Sequence, residues 1–352
     1  MIENLDCLDI KYKFVTYIIF RSICSFITSI IFSVYITKHI IKLFSNLQFN
    51  QVIRYEGPSS HYNKKNTPTM GGITIIISTI ISVIIWSDLL NNYIWYILYI
   101  LISYGIIGLI DDYYKITKKN SKGITAKYKY LFLSIISLII IYFVFIDCIN
   151  QKHELPIPFI KNINFKINWI YLIIMYFVIV GTSNSVNITD GLDGLAIIPV
   201  ILIATIFAII SFISGNIDLS NYFNLQYICN AGELIIFCTS LIGSGIVFLW
   251  FNTYPAEIFM GDIGSLSLGG TIGIIALLLH QEILLIIIGG VLVIETISVI
   301  IQVICFKIFK IRIFNMAPIH HHYEIKGYKE SKITVRLWII SLLLFLIGII
   351  SL

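Results

Sequence analysis

The segment "YIWYILYILISYGIIGLIDDYYK" at residues 93–115 places two adjacent carboxylates at the end of an almost unbroken apolar run. A helix of about 20 apolar residues crosses the roughly 30 Å of a bilayer's hydrocarbon core. The run is therefore predicted to span a membrane, with Asp111 and Asp112 at its surface. Lys115 lies three residues after Asp112, so on a continued helix the two side chains share a face.

The composition of the whole chain agrees with this interpretation. Of the 352 residues, 58% are hydrophobic and 12% are charged, whereas soluble domains carry about 25% charged residues. A soluble helical protein of this composition would have too few polar residues to cover its surface. A membrane β-barrel would need alternating rather than continuous apolar runs. The chain is predicted to be an all-α polytopic membrane protein that forms a single domain over residues 1–352.

Ten membrane spans are predicted, and the basic residues between them indicate their orientation. One set of loops contains 17 Lys and Arg residues and the other contains five. Because cytoplasmic loops carry the excess of positive charge, both termini are predicted to lie outside the cytoplasm. The proline-broken outward loop 150–168 is compatible with a short hairpin. The predicted spans are 15–43, 72–90, 94–110, 131–149, 169–186, 195–213, 232–250, 265–281, 283–306 and 335–352.

Five aspartates converge on the predicted cytoplasmic surface from three separate segments. Asp190 and Asp193 belong to "NITDGLDGLA" at 187–196, and Asp262 belongs to "MGDIGS" at 260–265. Helix capping explains a single aspartate at a helix end, but it does not require five to converge. Clustered carboxylates repel one another unless a positive charge neutralises them, and Mg²⁺ binds to carboxylates together with substrate phosphates. A magnesium-dependent phosphate site is therefore predicted here.

Glycines, lysines and histidines of the same surface are consistent with an anionic substrate. The turns "DGLDGL" and "MGDIGS" leave backbone N–H groups free at helix N-termini, where anions bind. Lys64, Lys115 and Lys129 are candidates for phosphate contacts, whereas Lys118 and Lys119 are interpreted as anchors on anionic lipid. The consecutive histidines of "MAPIHHHYE" at 316–324 point in different directions and do not suit a zinc site. Contact with phosphate or nucleotide is favoured over a purely structural cluster.

Taken together, the motifs resemble the polyprenyl-phosphate N-acetylhexosamine-1-phosphate transferases. The resemblance covers nearly the whole chain in the order of the family. Its motifs are "TPTMGG" at 67–72, "DDYYK" at 111–115, "NITDGLDGLA" at 187–196, "NTYPAEIFMGDIGSLSLG" at 252–269 and "APIHHHYEIKG" at 317–327.

The resemblance implies an enzyme of the bacterial inner membrane that requires Mg²⁺. Its substrates would be UDP-N-acetylmuramoyl-pentapeptide and undecaprenyl phosphate, and its products lipid I and UMP. The lipid bilayer is an expected partner, a homodimer is compatible with the resemblance, and no nucleic acid is expected to bind.

The match to the family's motifs also implies roles for individual residues of this chain. Asp111, Asp112, Asp262 and His320 would be catalytic, and Asp262 would bind the Mg²⁺ ion. The substrate-binding residues would be Lys64, Thr69, Lys115, Lys129, Asn184, Asn187, Asp190, Gly191, Leu192, Asp193, Phe259, Gly261, His321 and His322. The segment "ITAKYK" leaves open whether Lys127 or Lys129 fills the lysine position.

The expected reaction is direct attack of the lipid phosphate on the β-phosphorus of the UDP-sugar, with a two-step route through an aspartyl-phosphate as the rival. A sister reaction with another amino sugar is a further alternative. A transporter is disfavoured, because its polar site would lie near the midplane of the membrane and between repeated halves. Glu295, which lies within a predicted span, is interpreted as a polar contact between helices or as part of a bent helix.

Overall fold

The computed structural model describes residues 17–51, 64, 67–120, 123–150, 154–158, 160–166 and 169–351. The elements in chain order are α1 (Ile18–Asn46), α2 (Gly72–Trp86), α3 (Asn92–Thr117), α4 (Ala126–Asn150), β1 (Glu154–Ile157), β2 (Ile160–Lys166), α5 (Trp169–Thr189), α6 (Ile197–Ser214), α7 (Ile217–Phe223), a 3₁₀ turn (Ala231–Glu233), α8 (Leu234–Asn252), α9 (Gly261–Leu278), α10 (Glu282–Ile288), α11 (Gly290–Phe309), α12 (Ile319–Ile325) and α13 (Glu330–Ile350).

Nine helices within the described part of the chain are long and apolar enough to cross a membrane. The predicted second span, 72–90, forms the shorter apolar helix α2 of 15 residues. The prediction of an all-α multi-pass membrane protein is confirmed. The orientation of the termini stays a prediction, and six basic residues on which it depends lie outside the described residues. They are Lys11, Lys13, Arg54, Lys65, Lys122 and Lys152.

The polarity of α1 is the reverse of that of a helix in a soluble protein. Small hydroxyl residues recur along its buried face and isoleucines along its exposed face. Ser25 accepts or donates a 2.7 Å hydrogen bond with Thr239 of α8. Because lipid is as apolar as isoleucine, helices in membranes pack through small and polar residues instead. The buried hydroxyl residues are Ser22, Ser25, Ser29, Ser33 and Thr37, and the exposed isoleucines are Ile19, Ile23, Ile27 and Ile31.

Two predicted segments have more structure than a simple span or loop. The predicted ninth span, 283–306, is split at Gly289 into the short α10 and the longer α11. The sequence of the loop 150–168 is compatible with a short hairpin, and the structure contains one. Its strands β1 and β2 pair antiparallel, with Glu154 opposite Lys166. The other regular elements of the described residues are helices.

Helix α9 forms the centre of the bundle and packs against α3 and α5. Nearly every residue of α9 is buried. Its first turn meets α3 at Gly108, where an added Cβ atom would lie 2.3 Å from the backbone oxygen of Asp262. This separation is too short for any side chain, so glycine allows the two backbones to touch. The contact brings the C-terminal end of α3, with Asp111 and Asp112, beside the N-terminal end of α9.

Candidate active site

Three carboxylates meet where the end of α3 adjoins the start of α9. Asp111 and Asp112 are buried in the last turns of α3, and Asp262 lies in the first turn of α9. One oxygen atom of each carboxylate lies within 4.8 Å of the others. Two segments 150 residues apart in sequence thus build one acidic cluster, as the sequence predicted.

Each of these carboxylates has one oxygen atom fixed by a neutral donor. The backbone N–H of Ile124 donates to Asp111 Oδ1 at 2.7 Å, and that of Ile263 donates to Asp112 Oδ2 at 3.2 Å. Asn187 Nδ2 donates to Asp262 Oδ1 at 2.8 Å. The second oxygen atom of each carboxylate is left to face a shared space.

The ammonium group of Lys115 lies among the three carboxylate oxygen atoms that face this shared space. It is 2.8 Å from Asp111 Oδ2, 3.4 Å from Asp112 Oδ1 and 2.8 Å from Asp262 Oδ2. Lys129 also contacts Asp262 Oδ2 and lies 3.5 Å from Asp111 Oδ2, whereas Lys127 is exposed. Of the two candidate lysines, Lys129 is therefore the one that joins the cluster.

The donor set of the cluster fits a hard divalent cation. Mg²⁺ prefers oxygen ligands and is commonly held by one or two carboxylates. Here three carboxylate oxygens converge, and the orientation of each carboxylate is already fixed by a hydrogen bond to its other oxygen. The two ammonium groups at the same place indicate that the cluster favours positive charge.

A second ionic group holds the turn between α5 and α6. Lys64 Nζ lies 2.6 Å from Asp193 Oδ1 and 2.5 Å from Glu330 Oε1. Glu330 also accepts the backbone N–H of Asp193 at 2.9 Å, and Asp193 Oδ2 accepts that of Ala256 at 3.1 Å. Sequence reasoning missed Glu330, because an acidic residue in the first turn of a helix is ordinarily explained by the helix dipole.

Aromatic rings lie beside Lys64. Its Nζ atom is 5.8 Å from the ring centroid of Phe259 and 6.0 Å from that of Tyr254. Such distances allow a cation–π attraction. Phe259 is partly exposed, so one flat surface is available to a planar ligand next to the lysine.

Asp190 lies in the same turn and faces other acids. Its partly buried position and the negative charges of Asp262, Asp112 and Asp193 raise its pKa to about 8. Near neutral pH the Asp190 carboxyl is therefore mostly protonated when no cation is bound. It then supplies a hydrogen-bond donor at the edge of the cluster.

The three consecutive histidines have different surroundings. His320 is fully buried, and its Nδ1 atom lies 3.0 Å from Glu295 Oε2. His321 Nδ1 lies 2.7 Å from Glu324 Oε2. His322 Nδ1 accepts the backbone N–H of Asn315 at 3.1 Å.

The remaining predicted site residues divide into two groups. Gly261 belongs to the cluster, since it has a φ of +73° and an added Cβ atom would lie 2.5 Å from Asp112 Oδ2 and 3.2 Å from Thr69 Oγ1. Asn184 instead donates to the Val180 carbonyl of its own helix at 2.7 Å. Leu192 is buried in a small apolar group with Leu195 and Ile333, away from an open surface.

The fold and the acidic cluster define an integral membrane protein with a charged site at one end of its central helix. Residues 94–280 match the model of glycosyl transferase family 4. The chain is 56% identical over 349 residues to the phospho-N-acetylmuramoyl-pentapeptide-transferase of Buchnera aphidicola subsp. Acyrthosiphon pisum (strain APS), covering 98% of this chain and 97% of the relative.

A second relative gives the same result. The enzyme of the same name from Buchnera aphidicola subsp. Baizongia pistaciae (strain Bp) is 56% identical over 336 residues, covering 95% of this chain and 98% of the relative. The chain belongs to the phospho-N-acetylmuramoyl-pentapeptide-transferase family within glycosyl transferase family 4. The resemblance found from the sequence motifs is confirmed.

Proposed function

We propose that the protein transfers phospho-N-acetylmuramoyl-pentapeptide from UDP-N-acetylmuramoyl-pentapeptide to undecaprenyl phosphate, forming lipid I and UMP. The family to which the chain belongs supports phospho-N-acetylmuramoyl-pentapeptide as the group that is transferred. The observation that carries the proposed chemistry is the meeting of Asp111, Asp112 and Asp262 around Lys115. The reaction takes place at the cytoplasmic surface of the bacterial inner membrane and requires Mg²⁺.

The transfer is a single displacement at phosphorus. An oxygen atom of the lipid phosphate attacks the β-phosphorus of the UDP-sugar, and the bond from that phosphorus to the oxygen bridging the two phosphates breaks. UMP leaves with the electron pair. The protein itself does little covalent chemistry, since positioning and charge neutralisation provide most of the catalysis in phosphoryl transfer.

The acids and lysines of the cluster have separate roles in this step. Asp111, fixed through Oδ1 by Ile124, orients the lipid phosphate and accepts its proton where one is present. A phosphate with a second pKa of about 6 needs little help to ionise. Lys115 and Lys129 stabilise the negative charge that moves onto the leaving phosphate.

Asp262 would be the principal ligand of the cation, with Asp111 and Asp112 within reach. The chemistry that Mg²⁺ would supply there is positive charge to neutralise the diphosphate and favour departure of UMP. Asn187, which donates to Asp262 and to Ser265 at 2.8 Å each, keeps the Asp262 carboxylate in the orientation that this requires.

The turn between α5 and α6 and the segment before α9 bind the nucleotide. Uracil stacks on the partly exposed ring of Phe259, and Lys64 lies close enough to that ring to contact the nucleotide. Asp190 and Asp193 line the same pocket. The buried Leu192 supports the turn from below.

An assay of UMP release tests the function. With undecaprenyl phosphate and Mg²⁺ present, UDP-N-acetylmuramoyl-pentapeptide should release UMP and UDP-N-acetylglucosamine should not. Use of the second donor and refusal of the first would establish the sister reaction instead. Labelled UDP-sugar incubated without lipid should leave no phosphorylated protein, and a trapped aspartyl-phosphate would contradict the single displacement.

A further inference from the structure

A buried pair of side chains connects α11 and α12 with the turn between α5 and α6. Glu295 of α11 and His320 of α12 are both fully buried, with His320 Nδ1 3.0 Å from Glu295 Oε2. The backbone N–H of His320 points at the same oxygen atom at 3.5 Å. The pair thus fixes the start of α12 to the second turn of α11.

The other side of the His320 ring faces the turn between α5 and α6. A Cβ atom added to Gly191 would lie 2.4 Å from His320 Nε2 and 3.0 Å from Cε1. The ring edge therefore packs against the bare backbone of Gly191. Nε2 is buried and has no hydrogen-bond partner within the described part of the chain, so packing rather than a bond defines this contact.

The carboxylate of Glu295 selects one form of the ring. A carboxylate accepts hydrogen bonds, so the proton must be on Nδ1. Such a carboxylate–histidine contact fixes both the tautomer and the orientation of an imidazole, as carboxylates do for histidines that bind metals. Without Glu295 the ring could rotate about its χ angles and release the Gly191 backbone.

We infer that Glu295 is a positioning residue for the donor nucleotide, which acts through His320 to hold the turn that carries Asp190 and Asp193. This inference rests on the proposed function, because it assigns that turn to the nucleotide pocket. Gly191 lies between the two acids in sequence and His320 is buried beneath it. A shift of the turn would therefore displace both acids together.

Binding of UMP, which requires no catalysis, measures this role. Purified wild-type protein in detergent with Mg²⁺ should bind UMP by calorimetry. Glu295→Ala should weaken UMP binding by about 10- to 100-fold, the loss that is typical when the partner that orients a histidine in a binding site is removed. Glu295→Gln retains an oxygen acceptor for Nδ1–H and should lose much less. The matched control is Thr296→Val on the same helix, because the Thr296 hydroxyl donates to the Leu292 carbonyl of its own helix.

Steady-state kinetics separates positioning from a general structural effect. In Glu295→Ala the KM for the UDP-sugar should rise, whereas the KM for undecaprenyl phosphate should stay unchanged. Wild-type UMP affinity in Glu295→Ala would overturn the inference, as would a Gln variant as weak as the Ala variant. Failure of the wild-type protein to bind UMP would instead contradict the proposed function.

A second pair of variants tests the same contact if Glu295→Ala does not fold. Gly191→Ala places a methyl group against His320 Nε2 and should weaken UMP binding. In a His320→Ala background the added methyl group has space, so Gly191→Ala should cause no further loss. Such coupling is the mark of residues in contact, and independent, additive losses would overturn the inference.

Discussion

Lys115 Nζ lies 2.8 Å from Asp262 Oδ2, although 147 positions separate the two residues in the sequence. The same ammonium group also contacts both acids of its own helix. Lys115 therefore occupies the space between the three carboxylates that the proposed function gives to a divalent cation. Lysine and cation must share this space or alternate in it, and this has a measurable consequence.

Replacing Lys115 with Met should change metal binding and activity in opposite directions. Removal of the ammonium group leaves three carboxylates with less neutralisation, so Mg²⁺ should bind more tightly. Turnover should fall by about 100-fold, because a positive group that stabilises the transferring phosphate is lost. Titration with Mg²⁺ followed by assay of UMP release measures both effects. Lys118→Met, which removes an exposed lysine of the same segment, is the control, and weaker metal binding in the Lys115 variant would contradict the prediction.

Asp262→Asn should lower turnover by about 100- to 1,000-fold, the range seen when a group that stabilises developing charge is removed. The amide keeps the shape of the side chain but loses the charge that binds the cation. Activity should be measured across a wide range of Mg²⁺ concentrations. Asp218→Asn, at an exposed position in the first turn of α7, should leave activity unchanged. Near-normal activity and metal dependence in the Asp262 variant would refute the metal-binding role.

Lys127 and Lys129 are two residues apart and should respond differently to the same change. Lys129 contacts Asp262 and Asp111, whereas Lys127 is exposed. Lys129→Met should reduce turnover by about 10- to 100-fold, and Lys127→Met should be close to wild type, since exposed substitutions away from a site have small effects. Parallel UMP-release assays compare the two variants. Equal losses would show that the contacts of Lys129 do not matter for catalysis.

The titration of Asp190 should affect nucleotide binding in metal-free protein. Its pKa is raised to about 8, so the carboxyl is mostly neutral at pH 7 and ionised at pH 9. Ionisation adds a negative charge beside an anionic ligand, and UMP affinity should therefore fall as the pH rises from 7 to 9. The phosphate of UMP is already mostly in its doubly charged form at pH 7, because the second pKa of a phosphate monoester is about 6.

Asp190→Asn provides the control for this pH dependence. The amide cannot ionise, so the variant should show a flatter pH profile with an affinity near the wild-type value at pH 7. Calorimetry in the presence of a chelator excludes any effect of bound cations. A wild-type affinity that increases with pH would contradict the assignment.

Much of this arrangement could be predicted from the sequence. Continuous apolar runs indicated the spans, and three acidic motifs at their ends indicated that Asp111, Asp112 and Asp262 meet. Residues that act through tertiary contacts were harder to find. Glu330 has the pattern of an ordinary helix start. The sequence leaves open whether Glu295 is a polar contact between helices or part of a bent helix, and it does not indicate the partner of Glu295. The sequence contains no local signal that brings His320 to Glu295, because 25 positions and the end of α11 separate them.

The choice between Lys127 and Lys129 shows a similar limit. Either spacing is compatible with the motif, and only the position of α4 relative to α9 decides which ammonium group reaches Asp262. Asn184 and Leu192 are both expected to bind substrate, yet the structure directs Asn184 to its own helix and Leu192 to a buried apolar group. Sequence motifs identified the neighbourhood of the site, whereas packing assigned the individual contacts.

The backbone contact at Gly108 has a consequence for mutational scanning. This glycine has no functional group and makes no contact with a substrate in the proposed mechanism, yet any replacement would force α3 and α9 apart beside Asp262. In a library that scores growth or lipid I production, position 108 should therefore be as intolerant as the three acids themselves. A residue selected only for its small size would then be indistinguishable, by sensitivity alone, from one selected for its chemistry.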